Sequence, residues 1–257
     1  STPKRNLTAV MADVTPGDTL LIDAGEYYSN LSATADTTWF LGAGPTLSIV
    51  KPAGAITGIT IMNRWSVTVR GLMTLPTAAG AVPGLNAMND TGLVLEGVHI
   101  RNWNQIGVNM SYCVDALLHD CVIDSVTGDA LALVGSSFNC TVDSCLIRNG
   151  QQRGVYAVSD SHTLTNNRIE STGQTGIYLD GADTCLVAGN RVSRILGAWY
   201  GLYLLGNGNT IRDNAFASSG SDLVFVIAGS RGNLIESNTL SGASACGIQT
   251  TADSNVF

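Results

Sequence analysis

A short motif returns about every 23 residues along this chain. A small residue, usually glycine, is followed by apolar–any–apolar. It runs through Gly58-Ile59-Thr60-Ile61, Gly84, Gly107, Ala130, Gly154-Val155-Tyr156-Ala157, Gly176, Gly201, Leu223 and Gly247. The steps between these first residues are 26, 23, 23, 24, 22, 25, 22 and 24. A second series keeps step with the first, at Leu72, Val98, Cys121, Cys145, Asn167, Asn190, Asn214 and Asn238. Two series in one register mean that a single structural unit is repeated, and a unit so small buries its apolar face only by stacking on its neighbours.

Each unit holds two or three runs of period-2 apolar alternation, such as Thr141–Ile147, separated by Gly, Asn, Asp and Ser. That is the pattern of short strands joined by turns. Stacked strands lie ~4.8 Å apart, so nine rungs predict a rod on the order of 40 Å long with parallel sheets along its sides. Asn167, Asn190, Asn214 and Asn238 fall at one turn. Stacked there, each amide can donate to the next side-chain carbonyl. Cys121 and Cys145 hold the same rung position, where thiols act as small buried hydrophobes and are expected to stay reduced.

The amide series, the Gly-Ile-x-Leu strands and the period resemble the right-handed parallel β-helices of the pectate-lyase-like superfamily. The start adds to this: Asn6 to Val14 reads as a short apolar helix, followed by Pro16-Gly17-Asp18-Thr19-Leu20 and Gly25-Glu26-Tyr27. The resemblance implies an all-β, single-stranded right-handed parallel β-helix of about nine or more coils. Residues 1–28 would form the N-terminal cap and first strand, and 29–257 the coils of one domain. It also implies a setting among polysaccharide lyases, hydrolases, epimerases and phage tailspikes, hence a secreted, extracellular or virion-surface location.

Composition narrows the partners. Formal net charge is −7, and Lys4 and Lys51 are the only lysines. Without a Lys/Arg run or a basic stripe along the sequence, nucleic acid is not an expected partner. No apolar run reaches the ~18–20 residues of a membrane span. The chain stops inside a strand run, and Leu223–Ile227 is apolar on both faces, which usually means cover on both sides. A homotrimer or a further C-terminal domain would supply that cover.

The position after each apolar residue of the motif points outward. It reads Thr60, Asn86, Asn109, Ala132, Tyr156, Tyr178, Tyr203, Phe225 and Gln249. Four aromatics in successive coils form either a platform for pyranose rings or a ladder that serves only the sheet or an interface. Asn109, Tyr156, Tyr203 and Phe225 are the candidate substrate contacts on it. Asp129, Arg153, Tyr178 and Asp180 cluster within three coils and are the candidate catalytic group. A lyase needs a base, and a cation for the enolate; Arg153 fits the cation and Tyr178 a proton donor. A glycosidase needs two carboxylates ~5–9.5 Å apart, and Asp129 and Asp180 lie two coils, ~10 Å, apart. Thr127-Gly128-Asp129 matches only part of the Gly-Asp-Asp strand of polygalacturonase-like hydrolases. Turn chemistry for the aspartates and simple packing for Arg153 are the competing readings.

On a further strand Arg168 and Arg191 stack one coil apart and need an anion between them, either Glu170 or a uronate of the substrate. His162 shares a rung position with Cys140 and Cys185, but that line is too long for a zinc site. No cofactor is expected; Asp180 and Asp183 would hold calcium only weakly, with no acidic repeat behind them. The expected function is binding and cleavage of an extended polysaccharide by lyase or hydrolase chemistry. The alternative is a non-catalytic oligomeric fibre, adhesin or tailspike-like module.

Overall fold

A computed structural model describes residues 6–78 and 80–257; the first five residues of the expected cap lie outside the described residues. The backbone winds through ten successive turns and builds three parallel sheets of ten strands each. The first runs from Thr19–Ile22 to Leu234–Glu236, the second from Gly25–Tyr27 to Thr239–Ala243, and the third from Leu31–Ser32 to Ile248–Thr250. Every strand pairs with the strands three places before and after it in the chain, so each coil rests on its neighbours. The one helix among the described residues, Leu7–Met11, is shorter than the Asn6–Val14 span and buries Leu7 and Met11 at the end of the core.

The repeat is a packing rule. Inward residues of the third sheet are fully buried and form two columns, Val155–Ile177–Leu202 and Ala157–Leu179–Leu204. The glycine that opens the motif is one of the places where adjacent coils come close. A Cβ on Gly154 would stand 2.5 Å from the Gly176 carbonyl oxygen and 2.6 Å from Ile169 Cγ2. Any side chain there would push the rungs apart, so glycine recurs wherever this approach is tightest.

Polar residues inside the coil are satisfied by stacking. Asn167 Nδ2 donates to Asn190 Oδ1 at 3.0 Å, Asn190 Nδ2 to Asn214 Oδ1 at 3.0 Å, and Asn214 Nδ2 to Asn238 Oδ1 at 3.0 Å. Each Oδ1 also accepts the backbone N–H of the preceding rung. A second amide file, which the sequence reading missed, lies at the entrance to the first sheet: the N–H of Cys185 donates to Asn209, that of Asn209 to Asn233, and that of Asn233 to Asn255. The signal for it was present as a third series at the same spacing. All six cysteines are free thiols, and only Cys246 is exposed.

His162 belongs to this second file. Its Nδ1 accepts the Cys140 N–H at 3.2 Å, and its Nε2 meets Ser159 Oγ at 3.0 Å. With Nδ1 an acceptor, Nε2 carries the proton, so the ring is a neutral amide substitute rather than a ligand or a base for Ser159. Burial pushes its pKa down to about 4. The unfolded chain, with histidine near 6.5, therefore binds a proton that the folded chain refuses between these values. Stability from this group is complete above pH 6.5 and is lost as pH falls toward 4. We expect wild type to lose about 2 kcal/mol more than His162→Asn between pH 7 and 5, because asparagine continues the file without titrating. Urea melts at the two pH values check this; parallel losses in both proteins would contradict it.

Candidate functional site

The outward row of the third sheet is in register throughout: Ala132 pairs with Tyr156, Tyr156 with Tyr178, Tyr178 with Tyr203, and Tyr203 with Phe225. The rings touch in sequence. Tyr156–Tyr178 centroids lie 5.6 Å apart, Tyr178–Tyr203 4.5 Å, and Tyr203–Phe225 5.5 Å. Tyr200, from the turn before the strand, stacks on Phe225 at 4.9 Å. The row is thus half-buried rather than openly exposed. Part of the cover expected over Phe225 comes from the chain itself. Farther along, Asn109 Nδ2 donates to Asn86 Oδ1 at 2.8 Å and extends the row as a polar strip.

The four candidate catalytic residues meet at one end of the aromatic row. Asp129 is held at the mouth of its strand, with only 5% of its surface exposed. It accepts three hydrogen bonds from Arg153: the backbone N–H at 3.1 Å, Nε at 2.7 Å and Nη2 at 2.8 Å. The guanidinium lies over the Tyr156 ring, 3.5 Å from its centroid, and 5.5 Å from that of Tyr178. Burial opposes the arginine's charge, but the Asp129 bond and charge outweigh it and raise its pKa. Tyr156 Oη donates to Asp180 Oδ2 at 2.9 Å. Burial raises both phenols, Tyr178 to about 12, with the Asp180 charge adding to each. Both therefore carry their protons at neutral pH.

Chemically, Asp129 is spent. Both of its oxygens hold Arg153, so it is a positioning residue that fixes the guanidinium over the rings. Asp180 is the carboxylate of this cluster that no guanidinium holds. Asp183, the other residue of the calcium reading, accepts from the N–H and Nδ2 of Asn207 in the next coil.

Arg168 and Arg191 are not brought to this row. They pair across the second sheet. Glu170 indeed lies beside Arg168, but it is shared with Arg194 instead of Arg191. The same sheet gathers Arg101 and Arg148 on Asp124, at 3.1 and 2.9 Å. Residues 23 or so apart in sequence thus become neighbours in the fold and form a file of alternating charge. The readable signal was the third residue of successive second-sheet strands, Arg101, Asp124, Arg148 and Glu170.

In sequence, the family model for the right handed beta helix region matches residues 53–164 and 153–257. No curated protein matches the chain. Among solved structures, the A-module of mannuronan C-5 epimerase AlgE4 from Azotobacter vinelandii is 14% identical, with 97% of this chain and 92% of that one covered and a TM-score of 0.53. The catalytic unit of an α-1,3-glucanase from Streptomyces thermodiastaticus is 18% identical, with 94% of this chain covering 51% of that one at a TM-score of 0.74. ORF18 of Geobacillus virus E2 is 11% identical, with 93% of this chain covering 51% of that one at a TM-score of 0.66. At these identities the likeness is one of fold.

The Asp129–Arg153 pair yields a direct test. Asp129→Asn keeps the shape but leaves a largely buried guanidinium without its countercharge. We expect a loss of about 2 kcal/mol in urea unfolding, below the ~3–5 of a fully buried pair because Arg153 is partly solvated. An unchanged midpoint would show that the pair does not anchor the arginine.

Proposed function

The chain belongs to the right-handed β-helix family, and from that premise we propose that it acts on an extended polysaccharide laid along the third sheet, by lyase-type elimination on a uronate. The observation that carries this reading is the contact chain Arg153–Tyr156–Asp180, which sets one carboxylate held only by a phenol, two protonated phenols and a fixed guanidinium at the end of a file of aromatic rings. Tyr178, Tyr203 and Phe225 suit the apolar faces of successive sugar rings. The fold supports the same reading, since polymer-length grooves are what stacked coils provide.

In this mechanism Asp180 takes the proton from the carbon α to the uronate carboxylate, and Tyr156 orients it. The electron pair left on that carbon forms the new C=C bond as the β C–O bond breaks. Tyr178 gives its proton to the leaving glycosidic oxygen. Arg153 places positive charge beside the developing enolate. Hydrolysis is the weaker alternative, because Asp129 is committed to Arg153 and a second free carboxylate is missing from this cluster. A non-catalytic fibre or tailspike-like reading draws on the exposed Leu196 and Trp199 beside the Tyr200–Phe225 stack. The polymer-facing role implies a secreted, extracellular or virion-surface setting; among the described residues, no helix is long and apolar enough to cross a membrane.

A panel of polyuronates followed by the ultraviolet absorbance of unsaturated sugar ends tests the chemistry. We expect turnover in wild type, a fall of at least a hundredfold in kcat for Asp180→Asn and for Tyr178→Phe, and mainly a raised KM for Tyr203→Ala. Reducing ends without unsaturation would replace elimination with hydrolysis. Full activity in both variants would remove the two residues from the mechanism. A trimer in light scattering with no turnover would favour the fibre reading.

A further inference from the structure

The second sheet carries a concentration of positive charge that the third-sheet chemistry does not use. Five of the chain's arginines lie on or directly after its strands: Arg101, Arg148, Arg168, Arg191 and Arg194. Two carboxylates answer them. Asp124 is shared by Arg101 and Arg148, and Glu170 by Arg168 and Arg194. The face therefore holds an excess of three positive charges on a protein whose formal net charge is −7. His99, in the same outward row, has its pKa lowered by burial and by the Arg101 charge.

These arginines are not fully occupied by their partners. Arg101 and Arg148 each reach Asp124 through Nη2 alone, and the Nε of both is buried with no hydrogen-bond partner. Arg191 makes no ion pair among the described residues, although Arg168 stands one rung away. The side chains of Arg168 and Arg194 are more than half exposed, at 59% and 58%. Arg168 is answered by Glu170, whereas Arg191 one rung away is left without a countercharge, which an anionic ligand would supply.

We propose that this face is a binding surface for an acidic polysaccharide, whose carboxylate or sulfate groups sit between the arginines of successive coils. Spacing selects the ligand. Arg148, Arg168 and Arg191 stand on three successive strands, ~4.8 Å per rung, close to the rise of one sugar unit in an extended glycan. The adjoining turn carries no further charge: Asn149, Gly150, Gln151, Ser171, Gly173 and Leu196 line a shallow, mostly apolar cavity of about 360 Å³ there. A single-stranded nucleic acid would need aromatic faces for its bases. The outward residues His99, Val122, Leu146, Arg168 and Arg191 supply no phenyl or indole ring. The surface shares the acidic-glycan class with the proposed lyase reading, but its binding does not require turnover.

Binding to oligogalacturonate, a sulfated glycosaminoglycan fragment, a neutral β-glucan and a single-stranded oligonucleotide, each immobilised, tests it. We expect the two acidic glycans to bind at low ionic strength, to weaken several-fold at physiological salt, and to bind at least tenfold more weakly to the Arg168→Gln/Arg191→Gln variant. Arg191→Gln alone breaks no ion pair in the structure and should lose a few-fold, so it serves if the double variant is unfolded. Equal binding by wild type and Arg191→Gln, equal binding of the neutral glucan, or tighter binding of the oligonucleotide would each overturn the proposal. Asp180→Asn separates the two surfaces: lost turnover with retained salt-sensitive binding is expected. Absence of turnover in wild type with arginine-dependent binding intact would reject the lyase reading while leaving this one standing.

Discussion

Close approach of consecutive coils governs everything else in this protein. Parallel strand pairing alone tolerates small shifts of register, but the interior files do not. Gly154 admits the Gly176 carbonyl at a distance no Cβ would allow. Asn190 and Asn214 each spend their carbonyl on the preceding rung's N–H and their amide on the next asparagine. A slip of one residue would place side chains in the glycine gap and leave several buried amides unpaired, at about 1–3 kcal/mol for each unsatisfied group. Registry is therefore set many times over, and outward positions inherit it.

That inheritance builds the surface chemistry. Because register is rigid, residues with the same place in the repeat form straight files on the outside: rings on the third sheet, arginines with interspersed carboxylates on the second. The two files differ electrically. On the third sheet Arg153 is paired with Asp129 and pressed on Tyr156, leaving Asp180 as the carboxylate that no guanidinium holds. On the second, each carboxylate is divided between two guanidinium groups. A polymer that follows the rod axis meets one repeating contact per rung on either face, which is how a solenoid turns a short repeat into a long binding surface.

Much of the architecture was legible beforehand for a specific reason. The period appears in the chain as a direct image of coil circumference, so the Tyr156, Tyr178, Tyr203 and Phe225 alignment and the Asn167–Asn238 file could be read off by counting. The second amide file was harder, because His162 and the cysteines replace asparagine through half of it and hide the pattern. The helix was overextended because its apolar residues continue past Met11, while the backbone already turns at Ala12 and Asp13. The candidate cluster was located, but its internal pairing was not: nothing in the spacing says that Asp129 takes Arg153 and leaves Asp180 to Tyr156.

The amino-acid sequence by itself determined the repeat, the stacked coil and the identity of the outward aromatic file, while the three sheets emerged from the fold. These depend on periodicity, and periodicity survives when the chain is written as a line. The tertiary structure alone decided which charges meet. Arg101, Asp124 and Arg148 are separated by more than twenty residues at each step, and Arg194 reaches Glu170 from the next coil. Side-chain pairing depends on a few ångströms of lateral reach across neighbouring rungs, a distance that has no counterpart in the order of residues.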